Sequence, residues 1–377
     1  MNPAVTVTHA EGEYPVYIEA GILPRLPELA REHLPHRRTA LIADRTVARL
    51  YREFLDGSNT AWRTRDKTCD DATAEGWGVL DFPAGEASKV REVWAGLTDR
   101  LVTLGFGRDA GIIALGGGVT GDLAGFVAAT FMRGVPVMQV PTTLLAMLDA
   151  SVGGKVGVDT ADGKNLVGAF HPPVAVVADP LTLRTLDERA FRSGLAEAVK
   201  HALVADEGHL AWIDANAAPL LGRDLDRLTA LIRRSIEIKT VIVESDEREE
   251  GRRALLNAGH TLAHAIEQAS GYAVLHGEAV AIGLVLEAAV GEATGATEPG
   301  TRSRIEATLQ RLGLPVALPS GIAAEALLAA VGRDKKNRAG VPGFAFIESP
   351  GRPAAPEGQW VTPVHPDLLQ RILSREG

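Results

Sequence analysis

Arg253, Asn257, His260 and His264 recur at i, i+4, i+7 and i+11 in "RALLNAGHTLAHAIE". On a helix this spacing puts all four side chains on one face, with Ala, Leu and Ile on the others. A solvent face ordinarily carries Lys and Glu. This seam carries two imidazoles, an amide and a guanidinium, so it reads as facing inward. Gly259 within it lowers helix propensity by about 1 kcal/mol relative to Ala, which suggests that something approaches closely. Two further helical stretches repeat the theme. Glu197 and Lys200 lie three apart in "SGLAEAVKHALVA", a spacing that a surface ion pair would also give. Lys239 falls eleven residues after Leu228, which sets an ammonium on an apolar stripe. That is costly unless the lysine finds a partner or snorkels to the surface.

These residues include candidate metal ligands. His260 and His264 have helical i, i+4 spacing, but "HTLAH" lacks the glutamate of the H-E-x-x-H proteases. Glu197, His260 and His276 (in "LHGEAV") could instead form a two-histidine, one-carboxylate centre with positions open for substrate. On residue type alone His171, His201, His209 and His264 remain rivals.

A second constellation suits anions. "IIALGGGVTGDLAGFVAA" places Gly116, Gly118 and Gly121 in G-x-G-x-x-G spacing between a strand and a helix candidate. That context lets backbone N–H groups approach a dinucleotide pyrophosphate. The acid usually found about 20 residues on for the ribose is missing from "QVPTTLL". A tight strand-to-helix turn without ligand would look the same. "AGEASK", with Glu86 and Lys89, offers substitute contacts. In "SVGGKVGVDTADGKNLVG", Lys155, Lys164 and Asn165 stand among glycines. This reads as a loop wrapped around an anion, the alternative being a plain surface loop.

The elements that must position these groups fall into two halves. "YPVYIEAG", "RTALIAD", "DAGIIALGGG", "GVPVMQVPTT" and "PPVAVVADP" read as strands, with "SKVREVWAGLTDRLVTLG" an amphipathic helix among them. Strands alternating with helices predict an α/β domain with a largely parallel sheet over residues 1–178. From residue 179 to 377 the pattern turns helical, and "GRPAAPEGQWVTPV" reads as irregular. Two domains suit 377 residues. A net charge of −9 argues against nucleic acid as partner. One cysteine, Cys69, permits no internal disulfide and suits a reducing cytoplasm. No signal-peptide pattern or membrane-spanning apolar run is expected.

Six blocks in order, "GGGVTGDLAGFVAATFMRG", "PTTLLAMLDASVGGKVGVDTADGKNLVGAF", "RSGLAEAVKHAL", "LLNAGHTLAHAIE", "LHGEAVAIG" and "DKK", together resemble the sugar phosphate cyclases, with the dehydroquinate synthase branch the nearest in pattern. The resemblance implies a Rossmann-like NAD-binding α/β domain followed by an all-α domain holding zinc or cobalt, with substrate between them, in a homodimer. It implies Glu197, His260 and His276 as metal ligands. It implies NAD contacts from Asp44, Glu86, Lys89, the Gly117–Gly118–Val119 turn, Asp122, Thr142, Thr143, Asp149, Ser151, Lys164, Thr182 and Thr185. The substrate pocket would use Asp149, Lys155, Asn165, Lys200, Lys239, Arg253, Asn257, His264 and Lys336, with Arg133 reaching phosphate across the dimer. Lys155, Lys200, Lys239, Asn257 and His264 would take part in the chemistry itself. Two positions depart from the family pattern, Pro172 after "FH" and Ala263 before His264.

The implied reaction converts a seven-carbon heptulosonate 7-phosphate into a carbocyclic product and phosphate, with NAD restored within each cycle. Arg253 and Lys336 suit a substrate carboxylate, since buried cations without a counter-charge are penalised. An amino-dehydroquinate synthase would need the same pair. A metal-dependent polyol dehydrogenase would share the glycine turn and helical domain but release NADH.

Overall fold

The computed structural model describes residues 1–35, 37–58, 78–161, 163–332 and 341–376. Lys336, the "DKK" block and Cys69 lie outside these. The described chain divides into two compact units, Met1–Leu186 and Asp187–Gly377.

The first unit is built on a seven-stranded sheet. Its strands are β1 (Val5–His9), β2 (Gly12–Ile18), β3 (Arg38–Asp44), β4 (Gly78–Phe82), β5 (Ala110–Gly116), β6 (Val137–Pro141) and β9 (Ala175–Ala178), in spatial order β1-β2-β9-β6-β5-β3-β4. β1 and β2 pair antiparallel, and every other pairing is parallel. Every residue of β5 is buried. This is why it reads as an unbroken apolar run and not as an alternation: a central parallel strand is covered on both faces. Helices α1 (Arg91–Thr103) and α2 (Gly118–Thr130) help cover the sheet, with Leu97, Leu101, Leu123 and Val127 in one apolar cluster with Ile112 and Leu80.

The segment expected to be a glycine loop is a hairpin. β7 (Lys155–Thr160) and β8 (Gly163–Phe170) pair antiparallel, Lys155 opposite Phe170 and Gly157 opposite Gly168. The glycines serve packing as well as turning. A Cβ on Gly168 would stand 2.3 Å from the Val156 carbonyl oxygen, and one on Gly125 of α2 would stand 2.3 Å from Val156 Cγ1. The hairpin therefore lies tight on α2.

The second unit is largely helical. The helices that matter below are α3 (Glu188–Ala205), α4 (Leu225–Ser245), α5 (His260–Ala269) and α6 (His276–Thr294). The expected continuous helix through the Arg253 seam is in fact broken. Residues Arg252–Asn257 form a 3-10 turn, Gly259 adopts φ +78°, and α5 begins at His260. The unit is also not purely helical. Gly343–Phe344 pairs with Thr362–Pro363, and Ile347–Ser349 pairs with Arg352–Pro353. Strands of two or three residues are too short to show alternation, so the Pro/Gly-rich stretch concealed them.

Candidate active site: a nucleotide crevice and a metal centre

In the first unit the predicted nucleotide residues gather at the carboxyl ends of the parallel strands. The connection from β3 runs to β4 on one side, while that from β5 runs to β6 on the other. This divergence is where open α/β sheets form a ligand crevice. Gly117 caps α2, and the Thr142 N–H donates to the Gly116 carbonyl at 2.8 Å, which seats the Thr142–Thr143 pair beside the glycine turn. A Cβ on Gly116 would meet Thr120 Oγ1 at 2.3 Å, and one on Gly117 would meet Thr143 Cγ2 at 3.0 Å. Any side chain there would fill the cradle. Asp44 ends β3, where its Oδ1 accepts from the N–H groups of Thr46 and Val47 at 2.8 and 3.1 Å. Thr182 and Thr185 lie in the 3-10 turn just after β9. Ser151 is buried, and its Oγ has no hydrogen-bond partner among the described residues. Asp149 lies half-buried in the short π-helix Ala146–Ala150.

The substitute contacts expected from "AGEASK" belong to an ionic cluster. Lys89 is buried and pairs with Asp122 of α2, and Lys164 Nζ lies 3.1 Å from Glu86 Oε1. Burial alone would lower the Lys89 pKa, but the charges of Asp122 and Glu86 more than offset this and raise it. Asp159, which sequence reasoning missed, joins the cluster. Its N–H donates to the Lys89 carbonyl at 2.7 Å, and its Oδ1 accepts from the Asn165 N–H at 2.8 Å. Asn165 is thereby held at φ +55°, a conformation that asparagine tolerates better than most residues. Lys155 and Asn165 are both exposed on the hairpin. Met132 and Arg133 take positive φ at the end of α2 and lie exposed.

In the second unit, three helix positions converge. Glu197 projects from the middle of α3, while His260 and His276 are the first residues of α5 and α6. One ligand atom from each lies within 4.8 Å of the others. The Nε2 atoms of His260 and His276 stand 3.7 and 3.6 Å from Glu197 Oε1. His260 Nδ1 sits 3.1 Å from the Ala258 carbonyl, and His276 Nδ1 sits 3.3 Å from Glu267 Oε2. A carbonyl only accepts, so His260 Nδ1 carries the proton and Nε2 keeps its lone pair. Burial, with Lys200 nearby, pushes the His260 imidazole well below its usual range. Burial would lower His276 too, but its bonds to Glu197 and Glu267 push it up to about 10. One carboxylate and two imidazoles, each with an Nε2 aimed inward, fit a divalent ion of the zinc type.

Other predicted residues lie in the same unit, Lys200 and His264 beside this centre. Lys200 is buried and pairs with Glu197 on the same helix. Lys239 of α4 is buried. Arg253 is buried, its guanidinium donates to the Glu247 carbonyl, and its N–H donates to Asp246 Oδ2 at 2.9 Å. Asn257 Nδ2 donates to Glu249 Oε1 at 2.6 Å. His264 is half-buried, its ring centroid 5.6 Å from that of His260 and 6.3 Å from that of His276. Of the rival ligands, His171 belongs to the first unit, with Nε2 on the Val135 carbonyl at 2.9 Å, and His209 stacks on Trp212 at 5.8 Å. Sequence reasoning also missed Glu267 and Glu287. A lone glutamate within the apolar run "AIGLVLEAAV" was the available signal for Glu287.

Fold and site define a protein with an α/β nucleotide crevice and a separate helical unit bearing a two-histidine, one-carboxylate centre. Residues 79–193 match the 3-dehydroquinate synthase N-terminal family, and residues 194–337 match the 3-dehydroquinate synthase C-terminal family. A 3-dehydroquinate synthase of Symbiobacterium thermophilum is 43% identical over 363 residues, covering 96% of this chain and 97% of that one. Among solved structures, a 2-deoxy-scyllo-inosose synthase complexed with carbaglucose-6-phosphate, NAD+ and Co2+ shares the fold, with TM-score 0.86 and 23% identity over 99% of this chain and 100% of that one. A 2-epi-5-epi-valiolone synthase from Streptomyces hygroscopicus subsp. jinggangensis, with NAD+ and Zn2+ bound, has TM-score 0.81 and 28% identity over 96% of this chain and 95% of that one. The chain belongs to the 3-dehydroquinate synthase family. No helix among its described residues is long and apolar enough to cross a membrane.

Proposed function

We propose that the protein converts 3-deoxy-D-arabino-heptulosonate 7-phosphate to 3-dehydroquinate and phosphate, using NAD and a zinc or cobalt ion. The observation that carries this reading is the convergence of His260 and His276 Nε2 on Glu197 Oε1, in a chain 43% identical along nearly its whole length to a 3-dehydroquinate synthase. When bound, the divalent ion supplies a Lewis acid for a substrate hydroxyl, and NAD supplies a hydride acceptor that is regenerated in the same cycle.

The chain's own residues would do the rest. Glu197, His260 and His276 hold the ion. Lys200 and Lys239, both buried, present ammonium groups with little competing water, where hydrogen bonds to substrate oxygens are strongest. Arg253, with Lys336, takes the substrate carboxylate. Lys155, Asn165, Asn257 and His264 would hold phosphate oxygens. The substrate phosphate then accepts the proton lost in the elimination step, so no separate strong base is required. Lys164, Glu86, Lys89, Asp122 and the Gly117–Val119 turn hold NAD, with Asp44, Thr142, Thr143, Asp149, Ser151, Thr182 and Thr185 around them.

We place the protein in the cytoplasm as a homodimer. The exposed apolar side chains Leu166 and Phe170 on β8, with Met132 next to Arg133, support an interface in the first unit through which Arg133 reaches the partner's phosphate.

The test is phosphate release from the heptulosonate phosphate with NAD and zinc, followed together with absorbance at the NADH band. Phosphate without net NADH, abolished by a chelator, is the expected result. Net NADH without phosphate would make the protein a dehydrogenase.

A further inference from the structure

The proposed metal ligands are held unequally. His260 Nδ1 faces a neutral carbonyl, that of Ala258, whereas His276 Nδ1 faces an acid, Glu267. Glu267 is buried on α5, seven residues after His260. That is close to two full turns, so it stands on the same helix face as His260 and reaches across to the first residue of α6.

The backbone of that first residue is already fixed. The Gly277 N–H donates to Ser193 Oγ of α3 at 3.0 Å. A Cβ on Gly277 would stand 1.8 Å from the Ser193 carbonyl oxygen, so α6 starts in contact with the helix that carries Glu197. What remains free at His276 is the turn of its ring. The other end of the brace is fixed as well, since the Glu267 carbonyl accepts from Ser270 Oγ at 3.0 Å and from the Tyr272 N–H at 2.8 Å.

We infer that Glu267 is a positioning residue for the metal centre, orienting the His276 ring through Nδ1 and strengthening it as a ligand. This rests on the metal reading above. An acid that accepts the Nδ1 proton does two things. It keeps the Nε2 lone pair aimed toward Glu197, and it makes the imidazole a better electron donor. Charge supports the assignment. Glu197 shares its charge with Lys200, so Glu267 would supply a second anion to a divalent cation held by these residues.

The experiment measures zinc affinity by competition with a chromophoric chelator, and the visible spectrum of the cobalt-loaded protein, for the unsubstituted chain, Glu267→Gln, Glu267→Asp and His276→Ala. Glu267→Gln should bind zinc about 10–100-fold more weakly and shift the cobalt bands, which report the ligand field directly. Its metal-free melting curve shows whether the fold survives. Where Glu267→Gln fails to fold, Glu267→Asp decides. It keeps the anion but withdraws it by one methylene, and should also weaken binding and move the bands. Zinc affinity within about twofold of the unsubstituted chain, with unchanged cobalt bands, overturns the role of Glu267 alone. Failure of the unsubstituted chain to bind zinc, or equal binding by His276→Ala, overturns the metal reading and the role of Glu267 with it.

Discussion

A Cβ on Gly283 would stand 2.0 Å from the carbonyl oxygen of Gly259. Gly283 lies on α6 and Gly259 at the break before α5, so the two helices that begin with His260 and His276 are pressed together at that point. Gly259 itself has φ +78°, and a Cβ there would meet Leu284 Cγ at 2.8 Å. Gly283→Ala should destabilise the second unit by about 2 kcal/mol or more, because the contact is with backbone and cannot be relieved by a rotamer change. Gly295→Ala is an instructive comparison. It strains a positive φ, +78°, which the helical Gly283 does not have, but its Cβ would meet nothing within 4 Å. Urea unfolding of the two variants should show the larger loss at Gly283.

Glu287 closes the same junction. Buried on α6, it accepts from the N–H groups of Gly259 and Leu262 at 2.8 and 3.1 Å, satisfying donors at the start of α5 that would otherwise be orphaned. Burial pushes its carboxyl up to about 8 despite those bonds. The folded state therefore holds a proton that the unfolded chain, with an ordinary carboxyl, releases. Stability should fall as pH rises between about 4.5 and 8. In chelator-treated protein, Glu287→Gln should flatten that slope, read from unfolding midpoints across the window.

His209 titrates with the opposite sign. Burial depresses its imidazole to about 4, and its Nε2 is buried without a partner among the described residues. The unfolded chain takes up the proton first, so stability is lost as pH falls below about 6.5. The loss should reach roughly 2 kcal/mol at pH 5. His209→Leu in chelator-treated protein should remove that component. An unchanged pH dependence would show that the imidazole stays solvated.

The Lys89–Asp122 pair separates stability from cofactor binding. Lys89→Met leaves a largely buried carboxylate without its cation and should cost about 3 kcal/mol. Adding Asp122→Leu should recover most of that loss. NAD binding, followed by fluorescence titration, should be weak in both variants. Recovery of NAD affinity in the double variant would mean that the pair only holds the fold.

Lys155 offers the cleanest functional variant, because it is exposed on β7. Lys155→Ala should leave the unfolding midpoint almost unchanged while slowing phosphate release about 100-fold, the effect of losing roughly 3 kcal/mol of charged hydrogen bonding. Comparable activity would remove Lys155 from the phosphate site.

Several features were legible from residue order because they depend on local rules. The β5 apolar run, the glycine turn after it and the helical character beyond residue 179 all follow from periodicity and backbone freedom. The metal set was partly legible: two histidines and a glutamate were visible as donors, but His171, His201, His209 and His264 stood as rivals. Choosing among them required knowing which helix ends meet. The Arg253 seam misled in one respect, since its i, i+4, i+7, i+11 spacing describes a straight helix and the chain breaks at Gly259. The hairpin at Lys155–Phe170 was missed because glycines and lysines weaken the alternation by which strands are recognised.

By itself the sequence determined the inventory: which residues can hold an anion, which can hold a metal, and which segments are apolar enough to form the sheet and helices that carry them. Tertiary structure alone decided their company. It placed Glu267 on the Nδ1 of a histidine nine residues away, and set Glu287 as a cap on a helix that is not its own. It also made Asp159 the acceptor that holds Asn165 in its unusual conformation. Buried acids of this kind have no local signature, because their role comes from a donor on another element, and only packing brings the two together.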